Sequence, residues 1–176
     1  MKYPALSTEE ASARQRAAVL ALAAPVFLAI IPAGLILAGR ALDRVLRLPR
    51  VALGWGNKSL GGLLGVSGFA FAMWSIVEQF ERGRGTPIPK VASQELVASG
   101  PYAYTRNPMA LGTILMYLGV AVWISSITAA LIVVLLSALL LSFIKHGEEA
   151  ALEARFGDAY RAYRRRTPFL IPRLRR

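Results

Sequence analysis

Cysteine is absent from the 176 residues, and histidine occurs once, at position 146. Without cysteine there is no disulfide framework, thiolate nucleophile or cysteine metal site. A single histidine excludes a multi-histidine metal cluster, and no His-dependent triad is expected. Charge is scarce too, at 18% of residues, where a soluble domain carries about a quarter. Acids are the scarcer sign, 10 against 21 Lys and Arg, which leaves a formal charge of +11.

What is present is apolar sequence in blocks, with a mean hydropathy of +0.47. The composition is that of an all-α integral membrane protein. The basic residues flank apolar runs and crowd the C-terminus, a distribution suited to anionic lipid rather than to nucleic acid. Ser7-Thr8-Glu9-Glu10 is acidic and the run after it is too long for a signal-peptide core, so the first apolar segment is expected to stay in the mature protein.

Ala17 to Gly39 is apolar and long enough to cross a bilayer core of about 30 Å, with Pro25 and Pro32 predicting a kink. Leu60 to Val77 is the second candidate. Its Gly61-x-x-x-Gly65 suits either close helix contact or a loosely packed apolar helix. Met109 to Ile144 carries no charge over 36 positions. One straight helix of that length spans roughly 54 Å, too much for one crossing. Ser125-Ser126 divides it into a hairpin, Met109–Ile124 and Ile127–Ile144, so four crossings are expected. Arg40, Arg44, Arg47 and Arg50, alternating with Leu42, Val45, Leu46 and Leu48, suggest a short interfacial helix, or a cytoplasmic stretch if the first segment re-enters instead of crossing. Past Glu148, the residues Leu152, Phe156, Ala159, Tyr160 and Tyr163 form one stripe at helical spacing, an amphipathic C-terminal helix that Pro168 stops.

A four-crossing chain returns three polar stretches to one face. They are Gly83-Arg84-Gly85-Thr86-Pro87-Ile88-Pro89, then Gly100 to Pro108 (GPYAYTRNP), then Glu148-Glu149. Pro101 and Pro108 keep the middle stretch from merging into a helix. A non-helical backbone at the membrane boundary is tolerated where it lines an enclosed or aqueous cavity.

Gly83-x-Gly-Thr-Pro, Gly100-Pro-Tyr-x-Tyr-x-Arg-Asn-Pro-Met, Glu148-Glu149, Phe156-Gly-x-x-Tyr160-x-x-Tyr163 and Ile171-Pro172 together resemble the isoprenylcysteine carboxyl methyltransferase and phospholipid methyltransferase superfamily. The resemblance covers Gly83 to Pro172. It implies one membrane methyltransferase domain over 1–176, with two helices in 1–78 and the cofactor-binding half in 79–176. It implies S-adenosylmethionine as cofactor, bound by Gly85, Tyr102, Tyr104, Asn107, Pro108, Gly112, Glu148, Glu149 and Tyr160. Arg106 and Asn107 would be catalytic, and Arg106 and Ala110 would meet a lipophilic acceptor drawn from membrane lipid. Neither metal nor nucleic acid is implied. Asn107 stands where one branch has histidine, and Ala110 where an aromatic is usual, which leaves room in the pocket. The alternatives are a phospholipid N-methyltransferase, a small-thiol S-methyltransferase, or a non-enzymatic basic scaffold on anionic lipid.

Of the Lys and Arg residues, 16 lie at the termini and the Glu78–Pro108 stretch against 5 in Arg40–Ser59, which predicts that the larger group is cytoplasmic, with a bacterial inner membrane as the expected location. The natural absence of cysteine makes the test clean. Ser93→Cys and Ser7→Cys should both resist an impermeant thiol reagent outside intact cells, and external labelling at position 93 would reverse the orientation.

Overall fold

The structure, a computed structural model, describes residues 12–49, 54–83 and 94–172. Among these residues every regular element is helical. The first helix begins with a capping box: Ser12 Oγ accepts the Gln15 N–H (3.2 Å) and Gln15 Oε1 accepts the Ser12 N–H (2.8 Å). It runs as α1 (Ala13–Pro25), a π-helical turn (Val26–Ile30) and α2 (Ile31–Val45). The π turn lies between the two prolines. Proline lacks an N–H and its ring crowds the carbonyl four residues back. The backbone responds by widening, and the Ile31 N–H bonds to Val26 O.

Up to Pro49 the basic stretch after Gly39 does not form a separate interfacial helix, and Arg50 lies outside the described residues. Arg40 and Arg44 ride the last turns of α2, and the chain turns at Arg47 (φ 53). Asp43 holds this end in place. Its Oδ1 accepts both the Thr128 N–H (3.0 Å) and the Thr128 hydroxyl (2.5 Å), at the start of α5 (Ile127–Phe143).

α3 (Trp55–Glu81) and α4 (Pro108–Trp123) meet backbone to backbone. A Cβ on Gly68 would lie 2.5 Å from Met116 N, and one on Gly112 would lie 2.6 Å from Ala72 N. Gly61 and Gly119 repeat the arrangement two turns on, at 2.6 Å from Trp123 N and 2.5 Å from Gly65 N. Small residues allow such approach, and in lipid that packing is the main attraction between helices. A Cβ at Gly61 or Gly68 would therefore collide with α4, although Gly61 also edges the apolar groove that follows. Gly62 and Gly65 border a separate apolar groove with Trp123 and Phe69, away from Ala110.

The hairpin turn falls where the serines stand. Ser125 has φ 55, and Ser126 caps α5 by accepting the Ala129 N–H at 3.1 Å. α5 continues through a second π turn (Ile144–Glu148) into α6 (Glu149–Arg166), which bends at Gly157 (φ 52, ψ −126). Leu35, Ala121, Ala129 and Val133 form a small core, while Leu37, Leu63, Val66, Leu135 and Leu139 face outward. That outward apolar surface is what a lipid solvent permits.

Ala13–Val45, Trp55–Glu81 and Ile127–Arg166, the last through its uncharged part up to Ile144, are long and apolar enough to span a membrane, and the chain is an integral membrane protein. α4 is apolar but shorter, 16 residues, or about 24 Å. Among the described residues three helices thus meet the length and hydropathy needed to span, where four crossings are expected from the sequence. Arg16 Nη1 donates to Phe80 O (2.7 Å), which sets the start of α1 beside the end of α3. At the opposite end Asn57 Nδ2 donates to Val122 O (3.2 Å).

The glycine seam predicts an asymmetric response to alanine. Gly68→Ala and Gly112→Ala should each destabilise the detergent-solubilised protein by about 1–3 kcal/mol through overpacking. Gly65→Ala, whose added methyl meets nothing within 4 Å, should leave the thermal midpoint nearly unchanged.

Candidate active site

Gly100 to Pro108 is held from three sides at one end of the bundle. A 3-10 turn (Gly100–Ala103) opens the stretch. Gly100 has φ 55, and a Cβ there would lie 2.8 Å from Glu78 Cδ, so only glycine fits this close approach. Glu78 Oε1 accepts the Ser99 hydroxyl (2.6 Å) and pairs with Arg82 Nε (3.0 Å). The Tyr102 hydroxyl donates to Gln79 Oε1 (3.1 Å), and the Tyr163 hydroxyl donates to Tyr102 O (2.8 Å). Asn107 precedes α4, with Pro108 at its first position, where a missing N–H costs nothing.

Between this loop, α4, α5 and α6 lies a cavity of about 330 Å³. Arg106, Glu95, Glu148 and Glu149 supply its charge, and Phe156, Tyr160 and Tyr163 are part of its aromatic wall. The amphipathic stripe of α6 therefore turns its Leu152, Phe156, Tyr160 and Tyr163 toward the cavity, while Ala159 is exposed. Glu148 and Glu149 both reach the cavity at the end of the second π turn, whose extra residue re-phases the helix as it leaves the apolar run.

The two carboxylates differ. Glu149 Oε1 lies 2.6 Å from Arg106 Nη1, with side chains 10% and 12% exposed. These atoms meet as an ion pair outside hydrogen-bond alignment, and Arg106 Nε is buried with no hydrogen-bond partner among the described residues. Tyr160, 1% exposed, packs against the same pair. Glu148 stands at the open rim, beyond the apolar span that ends at Ile144, with no ion pair among the described residues. Desolvation by the surrounding walls, then the charge of Glu149, holds its carboxyl above the usual range. Burial, reinforced by Tyr163, Glu148 and Glu78, likewise raises the Tyr102 phenol.

Of the residues singled out in the sequence, Tyr102, Arg106, Asn107, Pro108, Ala110, Glu148, Glu149 and Tyr160 border this cavity. Gly112 does not; it lies in the α3–α4 seam. Tyr104 is exposed and outside the lining, and Gly85 falls outside the described residues. Asn107 Nδ2 is engaged by Phe169 O at 2.8 Å. His146 points outward, its Nδ1 2.8 Å from Ser142 O. Glu153 is not a free surface acid: it pairs with Arg161 and Arg164 (both 2.8 Å) across the Gly157 bend. Sequence reading missed Gln79, Thr113 and Phe27, which also line the cavity. Gln79 had a signal, an uncharged polar group in the last turn of an apolar helix. Phe27 had none.

Among the described residues, an apolar helical bundle thus carries at one end an aromatic-walled, largely apolar cavity with a few charged groups, in an integral membrane protein. Residues 57–159, more than half the chain, match the phospholipid methyltransferase family, and the chain belongs to that family of membrane methyltransferases. The match takes in all but the first two residues of α3, where the motifs begin only at Gly83. Over 82 residues the chain is 35% identical to the nickel-cobalt-cadmium resistance protein NccN of Alcaligenes xylosoxydans xylosoxydans, covering 47% of this chain and 38% of that protein. It thus spans well under half the length of that relative. No solved structure matches.

The unlike carboxylates predict unlike variants. Glu149→Gln removes the partner of a nearly buried guanidinium and should destabilise the protein by about 3–5 kcal/mol. Glu148→Gln should not. A carboxyl with a raised folded pKa favours the folded state below its unfolded pKa, and that advantage is lost as pH rises through the folded value. Thermal midpoints of wild type and Glu148→Gln should therefore diverge in favour of the variant as pH rises through that window. A constant difference across pH would contradict the assignment.

Proposed function

We propose that this protein transfers a methyl group from S-adenosylmethionine to a lipophilic acceptor in the membrane. The observation that carries the reading is the convergence of Arg106, Glu148, Glu149 and three aromatic side chains on one cavity within a methyltransferase-family chain. Its volume falls within the range of about 300–1,000 Å³ typical of small-ligand sites.

The donor set fits the cofactor. Glu148, without a cationic partner among the described residues, accepts hydrogen bonds from hydroxyl or ammonium groups. Arg106, charge-balanced by Glu149 and carrying a buried unsatisfied Nε–H, serves a ligand carboxylate or an anionic group of the acceptor. Phe156, Tyr160 and Tyr163 exclude water and offer ring faces to a cationic centre. Bound S-adenosylmethionine supplies a methyl group already activated on a sulfonium. The protein's contribution is then orientation in a dry site, which accounts for much of the rate in such reactions. Asn107 fixes the loop through its bond to Phe169 O, and its second N–H and its Oδ1 remain for a ligand in the cavity it borders.

The acceptor approaches from the bilayer side, where Phe27 of the first π turn and Leu140 and Phe143 of α5 border the cavity and remain exposed. In this reading α4 completes the fourth crossing, shortened where the polar loop dips toward the boundary, and the cavity faces the cytoplasm. A phospholipid amine is the second reading, favoured by Glu148: a carboxyl held above its usual range takes up an ammonium proton more readily.

Calorimetric titration with S-adenosylhomocysteine separates these readings from a basic scaffold, which would bind none. The wild-type protein should bind it. Ala110→Trp, at the cavity wall, should retain that affinity while slowing turnover of a bulky acceptor. Loss of product binding in this variant would move Ala110 to the cofactor side.

A further inference from the structure

After α6 the chain does more than end a helix. Thr167 N–H closes the last turn on Tyr163 O at 3.0 Å, which completes the cap. The next two residues then engage the loop before α4. Arg106 N–H donates to Pro168 O (2.9 Å). Phe169 O accepts from the side chains on either side of Arg106, the Thr105 hydroxyl (3.2 Å) and Asn107 Nδ2 (2.8 Å). The Phe169 ring lies 5.6 Å from the Arg106 guanidinium carbon, within cation–π reach. Thr105 is fully buried, whereas Ile171, two residues beyond Phe169, is 78% exposed. The contacts are thus concentrated on Arg106 and its two neighbours.

We propose that Thr167–Phe169 is a strap for Arg106, with Phe169 the positioning residue that keeps the guanidinium against Glu149 in the cavity wall. The inference rests on the cavity being the cofactor and acceptor site. An arginine side chain has many rotamers, and a planar stacking partner reduces them. Here Glu149 begins and Phe169 follows the same helix, α6. Seating that helix therefore supplies both the counter-charge and the ring, and lifting it would release both. The strap makes Arg106 ready only when α6 covers the cavity.

The test is a double-substitution cycle on the full chain in detergent, read by S-adenosylhomocysteine affinity. Phe169→Leu keeps the backbone carbonyl and removes the ring. It should weaken binding by roughly three- to thirtyfold. Phe169→Tyr should restore affinity, and Ile171→Ala should not change it. In an Arg106→Lys background, Phe169→Leu should cause little further loss. An equal loss in both backgrounds, or no loss in either, overturns the strap. A ligand-free readout keeps the two ideas apart: the Arg106 Nε–H should exchange with solvent faster in Phe169→Leu than in wild type, and equal rates would also overturn the strap. If the wild type binds no S-adenosylhomocysteine, the cofactor reading fails, while the exchange rates still decide the strap.

Discussion

Two bare helix backbones in contact set the frame for everything else. Gly61 and Gly68 on α3 face Gly119 and Gly112 on α4, each pair so close that a single Cβ would have to displace backbone. Lipid tails are as apolar as leucine, so burying leucine between these helices would gain little over leaving it in the bilayer. Close packing of backbone is the attraction that remains. It fixes where α4 begins, and hence where Arg106 and Asn107 stand relative to the end of α3.

Given that frame, the polar end of the bundle is assembled by short links between distant parts of the chain. Glu78 and Gln79 receive the loop from α3, while Pro168 and Phe169 receive it from beyond α6. Beyond its one 3-10 turn the loop is irregular, so its backbone groups need partners. Those partners bring α6 over the cavity, and Tyr163 joins the two by donating to Tyr102 O. The Arg106–Glu149 pair then lies in a wall made by both.

The two π turns occupy corresponding places in the design. One lies between Pro25 and Pro32, presenting Phe27 to the cavity and its carbonyl to the Tyr117 hydroxyl at 2.9 Å. The other carries the chain from the uncharged α5 to the glutamate pair. In each, a widened turn coincides with a change in what the helix must face. Proline spacing announces the first. The second has no comparable mark, since Lys145, His146 and Gly147 do not forbid an ordinary α-turn.

The sequence alone determined the class, the hairpin and the meeting of the loop before α4 with the glutamate pair. Hydropathy and charge are properties of the residues themselves, and a bilayer reads them directly. The Ser125-Ser126 turn, the proline-bounded loop and the grouping of Arg106, Glu148 and Tyr160 were all legible on those terms. Only the tertiary structure decided that Gly112 belongs to a helix seam, that Asn107 is tied to Phe169, and that Glu149 rather than Glu148 pairs with Arg106. Adjacent glutamates are identical in composition and hydropathy. They are told apart by direction, which depends on the phase of a helix and on what packs against it. Packing partners 40 to 90 residues apart leave no local pattern to read.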